Sequence, residues 1–120
     1  MPAVYCYVHT VTEDEMDGQG HVNNLEYLKW MQAAAIAHSD AQGWSASRYR
    51  DVGAGWVVRR LTIEYLQPAF AGDQIEVLTW VANFRKVRSL RKYKIVRRSD
   101  DRVLALAATD WTFIGLERRL

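Results

Sequence analysis

The chain has 120 residues, 49% of them hydrophobic and 25% charged, a composition that supports a folded core and argues against disorder. That length suits one domain over residues 1–120 and not two. A formal net charge of +2 gives no global attraction to nucleic acid, so any basic site has to be local.

Cys6 is the lone cysteine, so no disulfide framework and no thiolate zinc site is expected. The opening "MPAVYCYVHTVTEDE" has no basic stretch followed by a long apolar run, and so does not read as a signal peptide. No window approaches the roughly 20 apolar residues of a membrane span. A soluble cytoplasmic protein is the expectation.

Residues 4–11, "VYCYVHTV", are β-branched and aromatic and predict a strand, with Cys6 in the core. "TEDEMDGQGH" is polar and punctuated by glycine, and predicts a loop. Residues 24–42, "NLEYLKWMQAAAIAHSDAQ", hold no Pro or Gly and predict a helix that stops at Gly43. Its polar positions Glu26, Lys29 and Asp40 leave a narrow wet stripe, so most of its circumference is expected to be buried. "SASRYRDV" predicts a short helical turn. Strand-like runs follow at 55–67, 74–84, 89–98 and 102–114, with turn signals in "QPAFAGD", "RKVR" and "RSDD". The order is a strand, one buried helix, then a β-meander. A sheet of this kind keeps two edges and a free face, and self-association is its simplest completion.

"DGQGHVNNLEY", from Asp17 to Tyr27, carries the chemistry. Asn23 is a good N-cap and Glu26 stands in the capping-box position, which accounts for those two residues without any site. Asp17, the Gly18 and Gly20 pair, His21 and Asn24 are left over. Glycine permits positive φ and lets a ligand approach the backbone. The first N–H groups of a helix lack internal acceptors and carry the positive end of its dipole. Aimed at a carbonyl oxygen they make an oxyanion hole, and a carboxylate on the folded-back loop faces the same carbon. Such a constellation suits acyl chemistry.

With these residues in view, "DGQGHVNNLEYLKWM" and "LTIEYLQPAFAGDQIEV" resemble the hotdog-fold acyl thioesterases of the 4-hydroxybenzoyl-CoA thioesterase type, with similarity to plant-type acyl-carrier-protein thioesterases. The likeness runs to "ATDWTFIGL" and rests on Asp17, Gly20, His21, Val22, Asn23, Asn24 and Tyr27. Gln19 stands where the plant-type branch has Asn.

The resemblance implies an α+β hotdog fold, one long central helix wrapped by an antiparallel sheet of about five strands. Two subunits join their sheets edge to edge in a homodimer, with a homotetramer as the larger option, and the active sites lie at the interface. It implies hydrolysis of an acyl-CoA or acyl-carrier-protein thioester without metal or cofactor. Asp17 would act as nucleophile or general base. N–H groups near Val22 to Leu25 would polarise the carbonyl, and His21 and Asn24 would orient the reactants. Gly20, Val22, Asn23, Leu25 and Tyr27 are the expected substrate-binding positions. Glu64, in "TIEYLQPA", matches a second acidic position. Strand alternation puts Leu61, Ile63 and Tyr65 on one face and Thr62 and Glu64 on the other.

His9, His21 and His38 have no metal-ligand spacing. "NFRKVRSLRKYKIVRR" is a solvated strand face or a cradle for the CoA phosphates, and Arg85, Lys86, Arg88 and Arg91 are the candidates. Without a stacking platform the run does not point to nucleic acid. Trp30, Met31, Trp56 and Tyr65 are candidates to shape an acyl pocket. Two rival readings are a hotdog dehydratase or hydratase using His21 and Glu64, and a non-catalytic acyl-binding module.

Overall fold

The computed structural model describes residues 3–115; Leu116, the end of the "ATDWTFIGL" stretch, lies outside them. In chain order come β1 (Tyr5–Thr10), a 3-10 turn (Glu13–Glu15), α1 (Asn24–Ala41), α2 (Ala46–Val52), β2 (Ala54–Tyr65), β3 (Gln74–Arg85), β4 (Arg88–Arg97) and β5 (Val103–Gly115). Each of the helices and strands falls within two residues of its expected place.

Local chemistry sets the helix ends. Asn23 caps α1 by accepting the Leu25 N–H at 2.9 Å. Glu26 does not close the expected capping box; it pairs with Lys29 at 3.2 Å. The acidic cap forms upstream instead, where Glu15 takes the Thr12 N–H at 2.9 Å. Past α1 the chain turns at Gly43, whose φ of 90° suits glycine.

All five strands form one antiparallel sheet in the order β1-β3-β4-β5-β2. The expected four-strand meander is therefore only partly right. β3, β4 and β5 are consecutive hairpins, but β2 pairs with β5 and not with β3. The "QPAFAGD" segment is a crossing, not a hairpin turn, and its hydrogen bonds explain why. Leu66 and Gln67 donate to the Leu104 carbonyl at 2.8 and 3.2 Å, while Gly72 donates to Val11 and Val11 to Asp73. In mid-crossing, buried Ala69 receives the Val22 N–H and donates its own to the Tyr27 hydroxyl at 3.1 Å. The chain thus passes across one end of the sheet beneath the start of α1.

On the helix side the core joins Ile75 and Val77 of β3, Tyr93 and Ile95 of β4 and Ala105 of β5 to Tyr27, Trp30, Met31, Ala34 and Ala35 of α1. Those helix positions recur at three and four residues and form one stripe. The expectation of burial nearly all round does not hold within the chain, because α1 packs chiefly on β1 and β3 and leaves Leu25 and Ile36 exposed. Cys6 is likewise exposed, not in the core, since its register against Leu78 turns it to the face away from α1.

The Tyr27 hydroxyl satisfies the buried Ala69 amide, so Tyr27→Phe strands a donor inside the protein. The expected cost is about 1–3 kcal/mol, read as a lower urea midpoint with an unchanged slope.

Candidate active site

The loop ahead of α1 is closed at its base by backbone pairing. Met16 bridges to Val22, and Asp17 donates its N–H to the His21 carbonyl at 2.8 Å. Gly20 makes the return with φ 88°; Gly18 has ordinary backbone. Within the loop, Asp17 Oδ1 accepts the Gln19 N–H at 2.8 Å and the His21 N–H at 3.4 Å. Asp17 Oδ2 faces His21 Nδ1 at 3.5 Å. One carboxylate oxygen is held by the loop and the other is turned toward the imidazole, with both side chains partly open to solvent.

The amides at the helix start are shared out unevenly. Val22 donates to the Ala69 carbonyl, Asn23 to the Glu15 carbonyl and Glu26 to the Asn23 carbonyl. Leu25 donates to the Asn23 side chain. Among the described residues only the Asn24 N–H of this group has no acceptor. It sits at the first helical position, where the dipole adds to its donor strength. The expectation of a donor group spread over Val22 to Leu25 thus narrows, since the amides of Val22, Asn23 and Leu25 are occupied.

A cavity of about 210 Å³ opens here, lined by His21, Val22, Asn24, Tyr27, Tyr65, Leu66, Gln67 and Pro68. Tyr65 reaches over it to donate to the Asn24 carbonyl at 3.1 Å. Tyr27 stands edge-on to Tyr65, ring centroids 5.1 Å apart. Leu66, Gln67 and Pro68 were not singled out from the sequence; only the crossing of 66–73 under α1 brings them here.

Other expected residues lie elsewhere. Glu64 projects from β2 on the face away from α1, into a second cavity of about 430 Å³ with Thr62, Trp80, Lys92, Leu106 and Ala108. Among the described residues it forms no ion pair. Trp30 and Met31 are core, and Trp56 packs on Phe84 and Phe113 at the far end of the sheet. Arg85, Lys86 and Arg88 flank the β3–β4 turn at that same far end, where Phe113 donates to the Val87 carbonyl. Trp56 and Tyr65 stand nine positions apart along β2, roughly 30 Å of strand. The basic turn and the Asp17 loop therefore stand at opposite ends of one chain.

Residues 11–120 match the family described as the thioesterase-like superfamily. The fold is close to that of a 1,4-dihydroxy-2-naphthoyl-CoA thioesterase from Synechocystis, with 23% identity, TM-score 0.88 and coverage of 95% of this chain and 84% of that one. A DHNA-CoA thioesterase from Staphylococcus aureus gives 21% identity and TM-score 0.89, over 96% of this chain and 76% of its own. An acyl-ACP thioesterase from Bacteroides thetaiotaomicron gives 20% and 0.87, over 98% of this chain and 48% of its own. These likenesses establish the hotdog fold.

Arg91 stands apart from the basic turn. It is 8% exposed, and its Nη1 donates to His38 Nδ1 at 2.9 Å and to Thr79 Oγ1 at 3.1 Å. It is not presented to a surface phosphate. Burial, and then the Arg91 charge, push the His38 pKa below its ordinary 6.5, so His38 is neutral and accepts through Nδ1. An unfolded chain regains the ordinary pKa and takes up a proton that the folded chain refuses. Stability from this group is therefore full above pH 6.5 and declines as pH falls below it. His38→Gln should flatten that decline in urea titrations below about pH 6.5; an unchanged slope would assign it to other groups.

Proposed function

The chain belongs to the thioesterase-like superfamily, and from that premise we propose that it hydrolyses an acyl-CoA or acyl-carrier-protein thioester to the free acid and thiol, with Asp17 as the working carboxylate. The observation that carries the reading is the pairing of two things at one helix start. One is a carboxylate whose Oδ2 is turned out of its loop toward His21; the other is an Asn24 amide with no acceptor among the described residues.

A thioester carbonyl bound in the cavity lined by His21, Asn24, Tyr27 and Tyr65 takes the Asn24 N–H on its oxygen. Water attacks the carbonyl carbon and gives a proton to Asp17. The tetrahedral oxyanion is held by the amide and by the positive end of the helix dipole. Collapse breaks the carbon–sulfur bond, and the departing thiolate takes a proton from the Asp17–His21 pair. In the nucleophilic variant Asp17 itself attacks, the thiolate leaves, and water then opens the mixed anhydride. Gly20 gives the loop its return, and Val22, Asn23 and Leu25 hold the helix start in place.

Glu64 ranks behind Asp17, because β2 turns it to the opposite face of the sheet. The same placement disfavours the dehydratase alternative, which would need His21 and Glu64 to work on one substrate.

CoA carries a diphosphate and a 3′-phosphate, and Arg85, Lys86 and Arg88 suit both. In one chain they stand too far from Asn24 for a single thioester. β2 is an edge strand with Val57, Val58, Leu61 and Tyr65 exposed. A two-fold antiparallel pairing of two β2 edges lays the far end of one copy over the near end of the other. The partner's basic turn would then meet this chain's Asn24, in a homodimer whose sites need both copies.

Thiol release from short, long and aromatic acyl-CoAs should show turnover of at least one member by the wild type. Asp17→Asn should lower kcat by about 10²-fold or more. Activity surviving the change would move the role to another carboxylate, with Glu64 next. No release from any thioester would favour an acyl-binding module.

The double variant Arg85→Ala with Arg88→Ala should raise KM for the acyl-CoA by about tenfold, the scale of one lost charge-assisted contact. The same acyl group on N-acetylcysteamine, which lacks phosphates, should be unaffected. An equal change for both thioesters would remove the turn from CoA recognition.

A further inference from the structure

Glu15 lies two residues before Asp17 and does not line the cavity, yet more of the site's framework meets on it than on any catalytic candidate. Its Oε2 accepts the Trp30 indole N–H at 2.9 Å from the second turn of α1. His9 Nε2, on the last turns of β1, stands 2.9 and 3.1 Å from its two oxygens. The Thr12 N–H donates to Oε1 at 2.9 Å. Its backbone carbonyl takes the Asn23 N–H at 3.0 Å. One residue therefore ties the end of β1, the 3-10 turn and α1 at both its cap and its second turn.

We infer that Glu15 is a positioning residue, which fixes the Asp17 loop against the Asn24 amide. The inference rests on the proposed role of Asp17. Met16, the next residue, pairs with Val22, and Asp17 then pairs with His21, so the loop leaves the Glu15 anchor and returns to the helix within a few residues. Among the described residues no other hydrogen bond joins the 3-10 turn to Trp30 or His9. Without the carboxylate, the loop keeps its internal bonds and the Asn23 N–H on the Glu15 carbonyl, but loses its ties to Trp30 and His9, which brace it from outside.

The electrostatics agree with a permanent anion at this position. Burial alone would raise the Glu15 pKa, but hydrogen bonds from Thr12, His9 and Trp30 overcome it and hold the carboxyl at about 2. Neutral glutamine of the same size cannot replace it. Thr12 and Trp30 both present N–H groups to the carboxyl, and a carboxamide must turn its own N–H₂ toward one of these donors or toward His9.

A double-mutant cycle tests this, using Glu15→Gln, Asp17→Asn and their combination on an acyl-CoA that the wild type hydrolyses. Misplacement of a reacting group by about 1 Å costs up to roughly 10²-fold. Glu15→Gln should accordingly lower kcat by about 10- to 10²-fold, with KM within about threefold. In the Asp17→Asn background it should change kcat by less than about twofold, while its loss of Tm is the same in both backgrounds. A residue that only stabilised the fold would couple in neither measurement.

An equal fall in kcat in both backgrounds, or none in folded Glu15→Gln, would overturn the inference and leave the thioesterase reading standing. Undiminished activity in Asp17→Asn would instead defeat the role of Asp17 on which both rest. If Glu15→Gln does not fold, Trp30→Phe removes one donor and keeps an aromatic ring. It should show a smaller kcat loss that also vanishes beside Asp17→Asn, and a loss that persists there would overturn the inference.

Discussion

A helix begins with N–H groups that it cannot satisfy itself, and in this chain the search for their acceptors arranges everything at the end of the sheet where α1 starts. The Val22 amide draws in the carbonyl of Ala69, which fixes the crossing between β2 and β3. The Asn23 amide draws in the carbonyl of Glu15, which fixes the loop before the helix. The Asn23 side chain takes Leu25. Two separate segments are thus held to the start of the helix, and the cap side chain takes a third donor itself. Asn24 is left over. An unclaimed amide in this position is favourable only beside water or an anionic ligand, and a cavity opens against that residue.

The sheet order follows from the same crossing. Because the segment after β2 runs under α1 to reach β3, β2 ends beside β5 and becomes an edge. An edge strand carries unpaired backbone groups, and proteins usually shield such a strand with charge, proline or a covering element. Here Arg59 and Arg60 lie among exposed Val57, Val58 and Leu61, which shield one stretch and leave apolar surface on both sides. On the helix side, Ala105 and Thr109 of β5 are buried, while Leu61 and Tyr65 of β2 stay exposed, since α1 rests chiefly on β1 and β3. The proposed pairing of two copies would cover this exposed edge.

How much of this was legible in the sequence depends on the range of the interaction. The strands and α1 declared themselves through alternation, helix propensity and punctuation, all of which act over a few residues. Asp17, His21 and Asn24 were legible as a motif because their geometry is set inside one loop. The pairing of β2 with β5 was not, because "QPAFAGD" has the composition of a turn whether the next strand folds back beside the last or crosses the sheet. Gln67 and Pro68 were hidden for that reason. Strand parity separated Glu64 from Tyr65 correctly, but only the packed helix shows that Tyr65 has the site's face and Glu64 the other. Cys6 was misplaced because an apolar neighbourhood in sequence says nothing about which face of an edge strand is covered.

Arg91 shows why a run of basic residues cannot be read as one surface. On a strand, successive side chains point to opposite faces, so Lys92 looks outward to the second cavity while Arg91 turns beneath α1. A buried guanidinium costs several kcal/mol unless polar groups meet it, and no carboxylate does so among the described residues. Neutral acceptors take its Nη1 instead, Nδ1 of His38 and the hydroxyl of Thr79. Tyr5 stacks on the His38 ring, with centroids 5.1 Å apart, which steadies the imidazole in its accepting orientation. Protonating His38 would replace an acceptor with a second cation against Arg91. The helix is therefore held to the sheet at its C-terminal half by a contact that needs His38 neutral, and at its start by a contact that needs Glu15 charged. The two conditions overlap across the neutral range and, because folding lowers the His38 pKa, extend below the ordinary histidine value; there both ends of α1 are held at once.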